Sequence, residues 1–152
     1  MTNNDILRRI KLAFNFDETK MRQIFSCAGF NVSSEQITDW FRPEDDLEFQ
    51  DVADIQLAIF LNGFIIAEQG AKTKEKIKHE KELTNNLILG KLKTALNLKD
   101  AEIIQLFQSV QYTLSQTELK ALLCKPNQEH YQPCKDQILK LFLQAIHTKY
   151  HT

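Results

Sequence analysis

Apolar side chains recur along the chain at intervals of three and four residues, not at every second position. Ile6, Leu7, Ile10, Ala13 and Phe14 fall on one stripe of a 3.6-residue period. So do Met21, Ile24, Phe25 and Ala28, then Ile37, Trp40 and Phe41, then Leu57, Phe60, Leu61 and Phe64. The spacing predicts four amphipathic helices within residues 1–66. It predicts four more further on, with stripes at Ile88, Leu89, Leu92, Ala95 and Leu96, at Ile103, Leu106, Phe107 and Val110, at Leu119, Leu122 and Leu123, and at Leu139, Phe142, Leu143 and Ile146.

The second set repeats the first. Laying Asn3 on Asn85 and advancing without a gap pairs Ile6 with Ile88, Lys11 with Lys93, Asn15 with Asn97, Phe25 with Phe107, Ser33 with Ser115, Asp54 with Asp136 and Phe60 with Phe142. Roughly a quarter of the aligned pairs are identical, and most others keep their apolar or polar character. The fold class predicted is all-α: two tandem four-helix repeats, residues 1–66 and 85–148, packed with internal pseudo-two-fold symmetry. Residues 67–84, AEQGAKTKEKIKHEKELT, mix Lys and Glu without an apolar stripe and read as a charged linker or helix extension, exposed and mobile. A unit of about 65 residues makes only a marginal core alone, which favours one fused body over two lobes.

Boundary signals agree. The Asn pair before each first stripe offers an N-cap, and Asn15 and Asn97 stand where that stripe ends and a left-handed residue closes a helix. Gly29 reads as a helix stop. SSEQ and SQTE read as capping boxes opening the third helix of each copy, with Ser33 facing Gln36 and Ser115 facing Glu118. Gly63, inside the fourth helix, pairs with Ala145, and two small residues at matched positions suit a close helix crossing. Trp40, paired with Leu122, falls on a stripe and is expected in the core.

The pattern over nearly the whole chain outside the linker resembles the YehS-like proteins, a bacterial family of unknown function. The resemblance is carried by NDILR (Asn4 to Arg8), SSEQITDWFRPED (Ser33 to Asp45) and Asp54 with Leu57, Phe60, Leu61, Asn62 and Gly63. In the second half it is carried by NNLILGKLKTALNL and by Ser115, Glu118, Leu119, Cys134, Asp136, Gln137, Leu139, Phe142 and Leu143. It implies a tandem repeat of a domain of unknown function and adds no chemistry.

Composition narrows the classes. At 152 residues, 43% apolar and 26% charged, the chain fits a globular protein, and 4 Gly and 3 Pro are too few for an all-β fold rich in tight turns. No apolar run reaches the roughly 18 residues of a membrane span, and MTNNDILRRI lacks a signal-peptide pattern. Three cysteines without a C-x-x-C spacing suit reduced thiols. The expected location is cytoplasmic. The net charge of −1 divides unevenly: residues 1–66 carry 6 Lys and Arg against 11 Asp and Glu, residues 85–152 carry 8 against 5. The favoured reading of this split is drift of solvent-exposed charges after duplication, and the alternative is attraction between the halves, within one chain or in a homodimer.

Candidate chemistry is sparse. There is no nucleophile elbow, phosphate loop, dinucleotide fingerprint or H-E-x-x-H, so no catalytic, cofactor-binding or metal residue is assigned. Cys124, His130 and Cys134 lack a fourth ligand and the usual spacing for zinc. Glu44, Asp45, Asp46, Glu48, Asp51 and Asp54 lack the glycine and terminal Glu of a calcium loop and read as a solvated connection entering a helix N-terminus. The second and third helices of each copy look like a helix-turn-helix. Its exposed start offers Ser34, Glu35, Thr38 and Asp39 in the first copy, where two acids repel phosphate. The second copy offers Gln116, Thr117, Lys120 and Lys125, which is the candidate surface for a partner or for nucleic acid. The slightly acidic chain argues against a nucleic-acid partner. The reading favoured is a non-enzymatic protein-interaction or regulatory module with an unknown protein partner, and the alternative is a DNA-binding regulator using the second copy.

Overall fold

The computed structural model describes residues 1–151, and all regular structure among them is helical. α1 (Asn3–Ala13), α2 (Glu18–Cys27), α3 (Ser34–Trp40) and α4 (Asp54–Gln69) form the first unit. α5 (Asn85–Ala95), α6 (Asp100–Ser109), α7 (Gln116–Leu123) and α8 (Asp136–Tyr150) form the second, and a 3-10 turn spans Ala71–Lys76 between them.

Helix ends repeat with the sequence. Asn15 and Asn97 have φ of 54° and 52°, the left-handed closure expected of them, and Gly29 at φ 84° is matched by Gln111 at φ 63°. Ser115 and Glu118 form a full capping box, each side chain bonding the other's amide. The box at Ser33 is only half made: its hydroxyl accepts from Gln36 N–H at 3.0 Å, and the Gln36 side chain makes no return bond.

The Asn pairs do not cap. Thr2 and Thr84 do so instead, accepting the amides of Asp5 and Leu87 at 3.1 Å. Asn4 is buried, and its side chain stitches α1 to the loop between α3 and α4. It donates to the carbonyls of Trp40 and Gln50 at 2.9 Å and accepts from Val52 N–H at 2.9 Å. Asn86 does the same to Leu122, Gln132 and Cys134 at 2.9, 2.8 and 2.9 Å. A side-chain amide satisfying three backbone groups of a loop removes the penalty of about 1–3 kcal/mol that each would cost if buried unpaired.

The two units interlock. α4 packs on α2 and on α5 of the other unit, and α8 packs on α6 and on α1. Each first helix lies mainly on the opposite unit's fourth helix, which defines the pseudo-two-fold axis. Leu57, Phe60, Leu139 and Phe142 are fully buried in the shared core, and Trp40 is 2% exposed. Polar clasps close both ends of this crossing. Asp54 accepts Asn3 Nδ2 at 2.7 Å from its own unit and Leu83 N–H at 2.8 Å from the end of the linker, just before the other unit. Asp136 accepts Asn85 Nδ2 at 2.7 Å and the amino group of Met1 at 3.0 Å. At the far end Gln69 donates to Thr94 O at 3.1 Å, and the His151 ring lies 2.8 Å from Leu12 O.

Gly63 does permit a close crossing, but inside the first unit: its Cα faces the Ile24 backbone of α2, and a Cβ there would collide with the Ile24 carbonyl oxygen.

The fourth helices differ. α4 is buried at every residue from Leu57 to Ile66, whereas α8 keeps only a stripe, with Lys140, Gln144, His147 and Thr148 exposed. An apolar surface on all sides demands cover on all sides. Residues 71–83 supply part of that cover. The expected free tether lies instead against α4, with Ile77 and Leu83 half-buried. Glu80 pairs with Lys91 at 2.7 Å, and Asn62, fully buried, accepts from Lys91 Nζ at 2.7 Å and contacts His79 Nδ1 at 3.0 Å.

Candidate functional site

α7 is short, and its capping box leaves the first turn facing solvent. Gln116 and Thr117 are exposed there, and Lys120 is exposed one turn on. Leu119, Ala121 and Leu122 turn inward. Lys125 lies beyond the helix, exposed, with its amide donating to Gln128 Oε1 at 3.1 Å. Of these four candidate residues, Thr117 borders a cavity.

That cavity, about 510 Å³, opens between α7, the loop before it and the loop that follows it. Tyr112, Leu114, Leu122 and Ile138 give it an apolar lining, while Glu118, His130 and Lys135 carry charge or hydrogen-bonding capacity. An apolar pocket with a few polar groups takes a side chain or a small molecule. Gln116, Lys120 and Lys125 do not line it. Glu118 and Glu129 do, so the surface is not uniformly basic.

The matching place in the first unit is built differently. Trp40 stands where Leu122 stands, buried with its ring 5.6 Å from Phe25. Arg42 stands where Cys124 stands and ties the loop down, reaching Asp39 at 2.8 Å, Asp46 at 3.5 Å and Glu48 at 3.1 Å. The acidic stretch is therefore partly an Arg42 clamp and, at Asp54, part of the inter-repeat clasp. Ser34, Glu35 and Thr38 are exposed, and Ser34 Oγ donates to Glu18 at 2.7 Å. The second unit keeps no counterpart to the Arg42 clamp, because Ala121, Gln128 and His130 replace its three acids.

Cys124 and His130 do not join Cys134. Cys134 is buried, its amide bound to Asn86, and burial together with the nearby Asp136 charge pushes its thiol up to about 11. Among the described residues no three His, Cys, Asp or Glu side chains converge as metal ligands. Nor is any helix among them long and apolar enough to cross a membrane.

The pocket was not foreseen. The signal lay in the repeat alignment, where Trp40 meets Leu122 and Arg42 meets Cys124, a loss of volume and of a clamp at adjoining positions.

Two interlocked copies of one four-helix unit, with a pocket beside α7 in the less clamped copy, define a duplicated helical-repeat protein. The chain belongs to the family described as Protein of unknown function (DUF1456), whose model matches residues 3–70 and again 85–151. It is 31% identical over 152 residues to Uncharacterized protein YehS of Escherichia coli (strain K12), a match covering 99% of this chain and 97% of that relative. No solved structure matches it.

Proposed function

We propose that the chain is a non-enzymatic interaction or regulatory module that works in the cytoplasm by docking a partner protein. The observation that carries this reading is the α7 pocket. It opens where the copies diverge, and it pairs an apolar lining with a charged margin, the surroundings in which a partner's anchoring side chain is desolvated. Elsewhere polar groups have structural duties: the buried Asn4 and Asn86, the half-buried Asp54 and the exposed Asp136 hold loops and helices to one another.

A second reading, a DNA-binding regulator, draws on the side-by-side exposure of Gln116, Thr117 and Lys120 at the start of α7. Glu118 and Glu129 beside them weigh against phosphate.

One experiment separates the two. A protein co-purifying with the full chain is identified, and the complex is rebuilt from pure components. Leu122→Trp, which restores the bulk of Trp40, is expected to weaken it at least tenfold while the melting temperature holds. Retention on random duplex DNA at low salt, lost on Lys120→Glu with Lys125→Glu, would instead establish the second reading.

A further inference from the structure

The pseudo-two-fold axis relates two grooves, and only one is filled. Between α4 and α5 lie residues 77–83, which form no helix and bend at Lys81 and Glu82. Glu80 Oε2 meets Lys91 Nζ at 2.7 Å, Asn62 Nδ2 lies 3.5 Å from Lys78 O and from Glu80 Oε1, and Ile77 and Leu83 rest on the core. The equivalent groove between α8 and α1 places Arg9 where Lys91 is and Gln144 where Asn62 is. No described segment crosses it, and it leaves an open cavity of about 600 Å³.

Its floor and walls are suited to the same kind of occupant. Leu143 lines the bottom, and Leu12, 51% exposed, stands at the side. Arg8 is held by Asp5 at 3.4 Å, whereas Arg9 has no ion pair among the described residues. His147 and Thr148 border the opposite wall. The filled groove shows which chemistry such a surface accepts: a carboxylate on the cation, a backbone carbonyl and carboxylate on the amide, and an apolar side chain on the helix face.

We propose that the α1–α8 groove binds a non-helical segment of a partner protein that presents an Asp or Glu close to an aliphatic residue. The carboxylate pairs with Arg9, the segment's polar groups bond Gln144, and the aliphatic residue covers Leu12 and Leu143. The proposal rests on the reading of the chain as an interaction module and assigns it a second surface, about the axis from the linker.

The test is a displayed library of random heptapeptides, panned in parallel on the immobilised full chain and on its Arg9→Glu variant. The expected winners on the unaltered chain carry Asp or Glu beside Leu, Ile or Val and are not recovered on the variant. A synthetic winner should bind at least tenfold more weakly to Arg9→Glu, and to Arg9→Ala, and the same loss should follow changing the peptide's Glu to Gln. Its amide shift perturbations should centre on Leu12, Gln144 and His147. Winners recovered equally on the variant, winners that map elsewhere, an empty selection, or a dimer of the chain that occludes this groove would each overturn the proposal. Any of these together with a partner held at the α7 pocket would leave the broader reading standing. Specific duplex-DNA retention without a protein partner would remove that reading instead.

Discussion

Gly63 is pressed so closely on Ile24 that its missing Cβ is what lets α4 and α2 cross where they do. A methyl group there would meet the Ile24 carbonyl oxygen, and backbone cannot step aside as a flexible side chain can. Gly63→Ala is therefore expected to destabilise the chain by about 1–3 kcal/mol despite the better helix propensity of Ala. The reciprocal change, Ala145→Gly in α8, should cost about 1 kcal/mol. Urea midpoints for the two variants check the order.

The buried asparagines make a stronger claim. Asn4→Ala leaves two carbonyls and one amide of the α3–α4 loop without their partner, and Asn86→Ala does the same in the second unit. Each is expected to cost about 2–4 kcal/mol, since buried groups lose their bonds and water replaces only some of them. Because the first and fourth helices are exchanged across the axis, either substitution should lower one shared unfolding transition. Coincident tryptophan-fluorescence and circular-dichroism curves would show this, as Trp40 reports from the first unit alone.

Linker docking should depend on pH through Glu80. Burial raises the pKa of this carboxyl, but hydrogen bonds from Lys91, its own backbone and Asn62, with the Lys91 charge, outweigh that and leave it below the ordinary value of 4.5. A depressed carboxylate contributes stability that is fully present above the unfolded value and is lost as pH falls through the folded one. Amide exchange at residues 77–83 is expected to speed up, relative to α4, as the pH drops below about 4.5. Glu80→Gln should show the faster exchange at neutral pH and lose the pH step.

Cys134 should be chemically silent in the folded chain. Its thiol is buried and is held near 11 by burial and by the Asp136 charge, so little thiolate is present at pH 8. Iodoacetamide at pH 8 is expected to add at most two groups, on Cys27 and Cys124, which are half-buried. In urea it should add three. Intact-mass spectrometry reads the difference.

The duplicated architecture was legible because a gapless offset preserves both the stripe and its breaks. Asn15 and Asn97 could be read as left-handed closures from their place alone. The Asn4 and Asn86 contacts could not, because their partners lie 36 to 48 residues away and a helix start followed by Asn looks locally like a cap. Linker docking was hidden for a related reason: it depends on Ile77, Glu80 and Leu83, three positions in a run whose average is polar. Of the candidate surface, exposure at Gln116, Thr117, Lys120 and Lys125 follows from the stripe they avoid. The pocket beside Thr117 is lined by Leu122, where the first copy has Trp40, and by Ala121 and His130, where it has acids of the Arg42 clamp, and volume is not written in periodicity.

Each clasp takes its donor from one end of a unit and its acceptor from the other end of its sibling. Thus Leu83 reaches Asp54 as Met1 reaches Asp136, and Gln69 reaches Thr94 as the His151 ring meets Leu12. A single unit therefore already carries both halves of the fastening, and two identical copies could satisfy each other by half a rotation. The tether between the units thus adds little to the handshake itself; what it changes is the symmetry, because it shuts one of two otherwise equivalent grooves.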